Sequence, residues 1–137
     1  MAPRQSGAES MNLEKVVFAF VILLAATLNF GFVYGGVDNP AHHHIWELFA
    51  ATTVNLVAVV LKFGDRTHIG AVQQAASLVA LLQLLAAGFF WFALAPKDAA
   101  TPGPDALSSI VSLAAGALVA NGVSVVILIV DTSIQRR

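Results

Sequence analysis

The chain contains no cysteine. That absence removes disulfides, thiolate catalysis and cysteine-ligated metal centres together. Charge is nearly as scarce: Asp, Glu, Lys and Arg make up 11% of 137 residues, against roughly a quarter in soluble domains. With a formal net charge of −1 there is no basic surface for nucleic acid. Pro3, Pro40, Pro96, Pro102 and Pro104 all lie outside the long apolar stretches. No ionisable residue falls in the middle of any stretch. Proton-coupled transporters keep such a group within the membrane although inserting it costs about 2.5–3.5 kcal/mol. A four-span proton-driven drug antiporter would want a carboxylate midway along its first span, and Glu14 stands at the edge instead.

What remains is apolar: 58% hydrophobic residues and a mean hydropathy of +0.79. Four runs, at 16–33, 45–61, 69–94 and 107–130, each approach the ~20 residues of a membrane-spanning helix. Lipid supplies no hydrogen-bond partners, so such segments must be helices. The fold class that follows is all-α, a four-transmembrane-helix bundle. Its expected spans are 16–34, 41–63, 68–94 and 106–130, within a single domain at 15–131. A mobile polar segment at 1–14 is expected before it, and a basic tail at 132–137 after it. The first run has no A-x-A cleavage site and carries acidic residues ahead of it, so it reads as a retained span rather than a signal peptide.

Orientation follows from lysine and arginine. Arg4, Lys15, Lys62, Arg66, Arg136 and Arg137 fall on one side and only Lys97 on the other, which predicts both termini in the cytoplasm. Tyr34, Trp46 and the run Phe89, Phe90, Trp91, Phe92 gather at the opposite boundary, where amphipathic rings prefer to lie. Asn39 and Pro40 suit the cap and first position of helix 2. The turn Lys62, Gly64, Asp65, Arg66, Thr67 combines a cation at a helix C-terminus, a glycine for a left-handed residue, and Asp65 or Thr67 as the next cap. Asp105 is expected to cap helix 4 after a proline-rich loop.

Each span carries a side-chain amide: Asn29, Asn55, Gln83 and Asn121. At 1.5 Å per residue, Asn29 and Gln83 should lie toward the outer half, and Asn55 and Asn121 nearer the middle or inner half. Thr52, Thr53, Gln73, Gln74, Ser77 and Ser124 add to them. Two roles are open, interhelical glue at about 0.6 kcal/mol per bond or the lining of a water-filled path. Helix 4 also has a small-residue stripe at four-residue spacing, Ser108, Ser112, Gly116, Ala120 and Ser124, which favours close helix approach. Its partner is another helix of the bundle or a second subunit.

His42, His43, His44 and Glu47 form the one cluster with metal-ligand chemistry. If all lay on helix 2, His43 and Glu47, four apart, would share a face, as would His44 and Glu47. The ligand count falls short of a tetrahedral set, and the positive end of a helix disfavours a cation. No metal and no cofactor are therefore expected, with His43, His44 and Glu47 the weak metal candidates. Glu47 is also the best carboxylate for an outer mouth. Phe32-Val33-Tyr34-Gly35-Gly36 lacks the order of a potassium filter, and no pore helix precedes it.

The segments 11–15 (M-N-L-E-K), 28–32 (L-N-F-G-F), 43–50 (H-H-I-W-E-L-F-A) and 61–71 (L-K-F-G-D-R-T-H-I-G-A) resemble an uncharacterised family of small bacterial inner-membrane proteins. The likeness spans about residues 11–91, and helix 4 and the proline-rich loop depart from it. It implies four helices and a bacterial inner membrane, and supplies no activity. No span holds a nucleophile with an activating neighbour, so an enzyme is not expected. Two classes remain. One is a homo-oligomeric, channel-like conduit for ions or small polar solutes; the other is an accessory or assembly subunit of a larger membrane complex. The partners expected are the lipid bilayer and either further copies of the chain or another membrane protein.

Overall fold

The computed structural model describes residues 2–35, 43–64, 67–99 and 101–135, with side chains from residue 13 to residue 134 of these. It contains four helices: α1 (Ala2–Val33), α2 (Ile45–Lys62), α3 (His68–Leu94) and α4 (Pro104–Gln135). Each packs on its chain neighbour, and α4 closes back against α1. This is an up-down-up-down bundle. Its terminal end carries both chain ends and the α2–α3 turn; its hairpin end carries the α1–α2 and α3–α4 connections. The segments Leu13–Val33, Ile45–Lys62, His68–Leu94 and Pro104–Ile134 are each long and apolar enough to cross a bilayer.

Local chemistry sets most helix ends. α1 closes with the Tyr34 N–H on the Phe30 carbonyl and Gly35 in the left-handed region, at φ +102°. α2 ends at Lys62, and Gly64 takes φ +92°, the conformation expected of a glycine there. Thr67 caps α3, its hydroxyl accepting from the Gly70 N–H at 2.9 Å. Asp65 and Arg66 lie outside the described residues.

Two expected starts are corrected. α2 begins at Ile45 behind an extended His44, so His43 and His44 precede the helix; Asn39 and Pro40 lie outside the described residues. α4 begins at Pro104, with the Leu107 N–H on the Gly103 carbonyl, and Asp105 sits inside the first turn. Proline is favoured at the first helical position because it lacks only a donor that would go unpaired there. That preference places the boundary one residue ahead of the aspartate.

The core is unequal along the bundle. A large cluster fills the hairpin half: Phe32, Leu48, Leu84, Trp91, Leu107, Ile110 and Val111, with Ala51, Ala80, Ala87, Ala114 and Ala117 where helices approach closely. The terminal half holds only Phe18, Ile22 and Ala58 as a buried apolar cluster. Outside, large apolar side chains stand exposed on every helix, among them Phe20 (66%), Val60 (64%), Leu82 (65%) and Val119 (68%). In water such an exterior would aggregate; in lipid it is the expected surface.

Trp91 is 2% exposed and stacks at a tilt on Phe32, with ring centroids 6.2 Å apart. Trp91→Ala should destabilise the bundle by about 3–5 kcal/mol, read as a lower detergent-denaturation midpoint; an unchanged midpoint would show that the hairpin-half core carries little of the stability.

Candidate functional site

Three contacts fix the depth of the polar residues. The Gln83 amide of α3 lies over Gly116 of α4, where a Cβ would come within 2.6 Å of its nitrogen. The Glu47 carboxylate of α2 lies over Gly31 of α1 in the same manner. Asn29 of α1, with its amide turned as its partners require, donates to the Ala114 carbonyl at 2.9 Å and accepts from the Leu118 N–H at 3.0 Å. In a regular helix those two backbone groups bond each other. Asn29 therefore stands across one rung of α4, level with Gly116.

Equal steps along the antiparallel helices from these contacts place Asn55, Ser77 and Asn121 in one layer, nearer the terminal end. Gln73 and Ser124 lie about one turn below it. All five are buried, none more than 1% exposed. Within them Asn55 Oδ1, Gln73 Nε2, Ser77 Oγ, Ser124 Oγ and both amide atoms of Asn121 have no protein hydrogen-bond partner; Gln74 Oε1 and Gln83 Oε1 are alike in this. Asn55 has already committed its nitrogen to the Ala51 carbonyl at 2.9 Å, which leaves its oxygen turned from its own helix.

The lipid-side hydroxyls behave differently. Thr27, Thr53, Ser112 and Thr132, all exposed, each donate to a carbonyl of their own helix at 2.8–2.9 Å. Half-buried Thr52 does the same with Leu48. These two threonines of α2 thus satisfy their donors locally and line an apolar groove between α2 and α3, apart from the polar layer. Among the described residues, unpartnered buried side-chain atoms are confined to the inward-facing amides and serines.

Below the layer, a cleft of about 890 Å³ opens at the terminal end of the bundle. Glu14, Lys15, Lys62, Thr67 and Asp131 stand around it, and Gln73 lines it from within. Lys62 is held over the Phe18 ring, its ammonium 4.3 Å from the centroid. Gln73 thus belongs both to the cleft and to the base of the buried polar layer. Above that layer lie Ala80, Ala117 and the rest of the hairpin-half core.

The histidine cluster separates. His43 is buried, and its Nδ1–H donates to the Phe32 carbonyl, one of those left open at the end of α1. Its ring also tilts against Phe32, with centroids 5.6 Å apart. His44 is exposed, and Glu47, in the first turn of α2, is half-buried against α1. The shared helical face expected of His43, His44 and Glu47 does not exist, because α2 starts after both histidines. Among the described residues, no three His, Asp or Glu converge as metal ligands. Sequence reasoning missed the His43–Phe32 bond because it spans the α1–α2 connection; a buried histidine beside an apolar run was the one available signal.

The stripe on α4 is also divided. Gly116 faces Gln83, Ser124 is buried, Ala120 packs against the core, Ser108 is half-buried and Ser112 is exposed. Four-residue steps advance about 40° each around a helix, so five members sweep about 160° and cannot share one seam. The buried seam of α4 runs instead through Leu107, Ile110, Val111, Ala114, Ala117, Asn121 and Ser124.

Fold and site together define a multi-pass membrane protein with a polar layer sealed inside its helix bundle. The chain belongs to DUF6394, a family of unknown function, whose profile matches residues 42–132. The match takes in α4 and the proline-rich loop, both of which had been expected to depart from the family. No curated protein and no solved structure matches the chain.

The Gly116–Gln83 contact makes a double-mutant prediction. Gly116→Leu should disrupt the α3–α4 interface, whereas Gly116→Ala displaces only a flexible amide and should cost about 1 kcal/mol. Gln83→Ala should relieve much of the Gly116→Leu defect, measured by denaturation midpoints; strictly additive losses would place the steric conflict elsewhere.

Proposed function

We propose that this protein is a non-enzymatic, channel-like conduit for ions or small polar solutes in a bacterial inner membrane, with both termini cytoplasmic. The observation that carries the reading is that Gln73, which lines the terminal-end cleft, stands about one turn below the buried layer of Asn55, Ser77 and Asn121 with their unpartnered polar atoms. A buried polar atom left without a partner costs about 1–3 kcal/mol. A bundle that sets several at one depth is built to hold water or a polar solute there. The lysine and arginine distribution supports a cytoplasmic terminal end, and therefore a path entered from the cytoplasm.

The conduit lies inside each bundle rather than between subunits. The amides that would line an inter-subunit pore are buried within the protomer, while the exterior is apolar. A homo-oligomer would array such paths side by side. The described conformation is closed on the hairpin side by Trp91, Phe32 and Leu107. Opening requires helix movement, and α4 has a place for it. Gly116 weakens the helix there, and Asn29 offers the Ala114 and Leu118 backbone groups alternative partners.

A second reading, an accessory subunit without transport activity, draws on another feature. An apolar groove of about 720 Å³ runs between α2 and α3 in the hairpin half, bordered by Leu48, Phe49, Leu84, Leu85, Gly88 and Phe89. Such a groove can take an apolar helix of a partner protein.

Proteoliposomes separate the two readings. Purified protein should release a small ion or polar solute faster than protein-free vesicles, and Asn121→Leu should reduce that flux at least tenfold without loss of folded protein. Release no faster than from empty vesicles would overturn the conduit and favour the accessory role.

A further inference from the structure

The atoms left over in the polar layer are four oxygens and two amide nitrogens, Gln73 Nε2 and Asn121 Nδ2, and the oxygens suggest what the layer can hold. Asn55 Oδ1, Ser77 Oγ, Asn121 Oδ1 and Ser124 Oγ come from three helices at neighbouring depths and lack protein partners. Each residue is fully buried. The Asn55 nitrogen gives one N–H to the Ala51 carbonyl, and its oxygen is the amide atom left without a partner. Neutral amide and hydroxyl oxygens are hard donors of the kind that replace the hydration shell of alkali cations. Divalent magnesium and calcium rely on carboxylates, and none reaches this layer, since Glu14 and Asp131 lie at the rim of the cleft below. Soft-metal chemistry has no thiolate here, the chain having no cysteine.

We infer that Asn55, Ser77, Asn121 and Ser124 form a binding site for a monovalent alkali cation, sodium or potassium, reached from the terminal-end cleft past Gln73. The inference rests on the conduit reading for its route of access and adds the class of ion. Glu14 and Asp131 at the rim supply negative charge on the approach, balanced by Lys15 and Lys62, so selection falls to the oxygens of the layer and not to the field at the mouth.

Binding is measured on the full chain in detergent, without any flux. Radioactive sodium, with unlabelled sodium, potassium and choline chlorides as competitors at constant ionic strength, should bind saturably. Unlabelled sodium or potassium should displace it, and choline should not. The melting temperature should rise with sodium or potassium relative to choline, since a ligand of the folded state stabilises it by mass action. Asn121→Leu should lower affinity at least tenfold. Should that variant fail to fold, Asn121→Asp keeps the volume and adds a carboxylate, and should raise cation affinity severalfold. No saturable binding, or equal melting temperatures in sodium, potassium and choline, would overturn the inference and leave a layer filled by water alone. Vesicle flux of a neutral solute with no cation binding would sink the ion site and spare the conduit. Cation binding without flux would do the reverse.

Discussion

A bilayer interior offers hydrogen bonds to nothing, and the polar side chains described within the four helices are placed with respect to that constraint. The backbone meets it by helix formation. Hydroxyls on the lipid side meet it by bonding back to their own helices, as Thr53 does to Phe49 and Thr132 to Leu128. Asn29 meets it by taking both groups of one rung of α4. Among the described residues, only the inward amides and serines, from Gln73 up to Gln83, keep buried side-chain atoms without protein partners. On the conduit reading we propose, that exception marks where the bundle would enclose something polar. Leucine or alanine at the same positions would pack well and leave no polar atom unpaired.

The two halves of the bundle divide the work. In the hairpin half, alanines at Ala51, Ala80, Ala87, Ala114 and Ala117 let the helices close on Phe32, Trp91 and Leu107. His43 locks the top of that half by joining the α1–α2 connection to the last carbonyls of α1. The terminal half has a small apolar cluster around Phe18 and opens into the charged cleft. Glu47, set over Gly31 near the hairpin end, is the one carboxylate among the described residues drawn into the upper packing, and a glycine on α1 leaves space for it.

Four helices, their order and the all-α class were legible because twenty-residue apolar runs admit few alternatives in lipid. Gly64 was legible for a similar reason, since a left-handed residue after α2 calls for glycine, whereas Thr67 was one of two cap candidates with Asp65 and its hydroxyl caps α3. The start of α2 was not. Asn39-Pro40 is a good cap signal, yet His43 is taken up by the Phe32 carbonyl and His44 is extended, so the helix waits until Ile45. The even spacing of Ser108 to Ser124 suggested one seam, but a helix turns 3.6 residues per cycle and carries the stripe around itself. The relative depths expected for the amides, Asn29 and Gln83 on one level and Asn55 and Asn121 on another, agree with the helix registers. Which of them would find partners depended on neighbouring helices, and a single chain's periodicity does not encode that.

The central claim is that the terminal half of the bundle holds a wet polar layer beneath a dry seal. Single cysteines test it cleanly, because the native chain has none. A small, charged thiol reagent reacts with the thiolate, which forms only where water reaches. Ser77→Cys and Ser124→Cys should be modified from the terminal side of the membrane, while Ala87→Cys and Ala114→Cys should stay unmodified under the same conditions. Equal protection of all four positions would contradict the account, because the polar layer would then be as dry as the core above it.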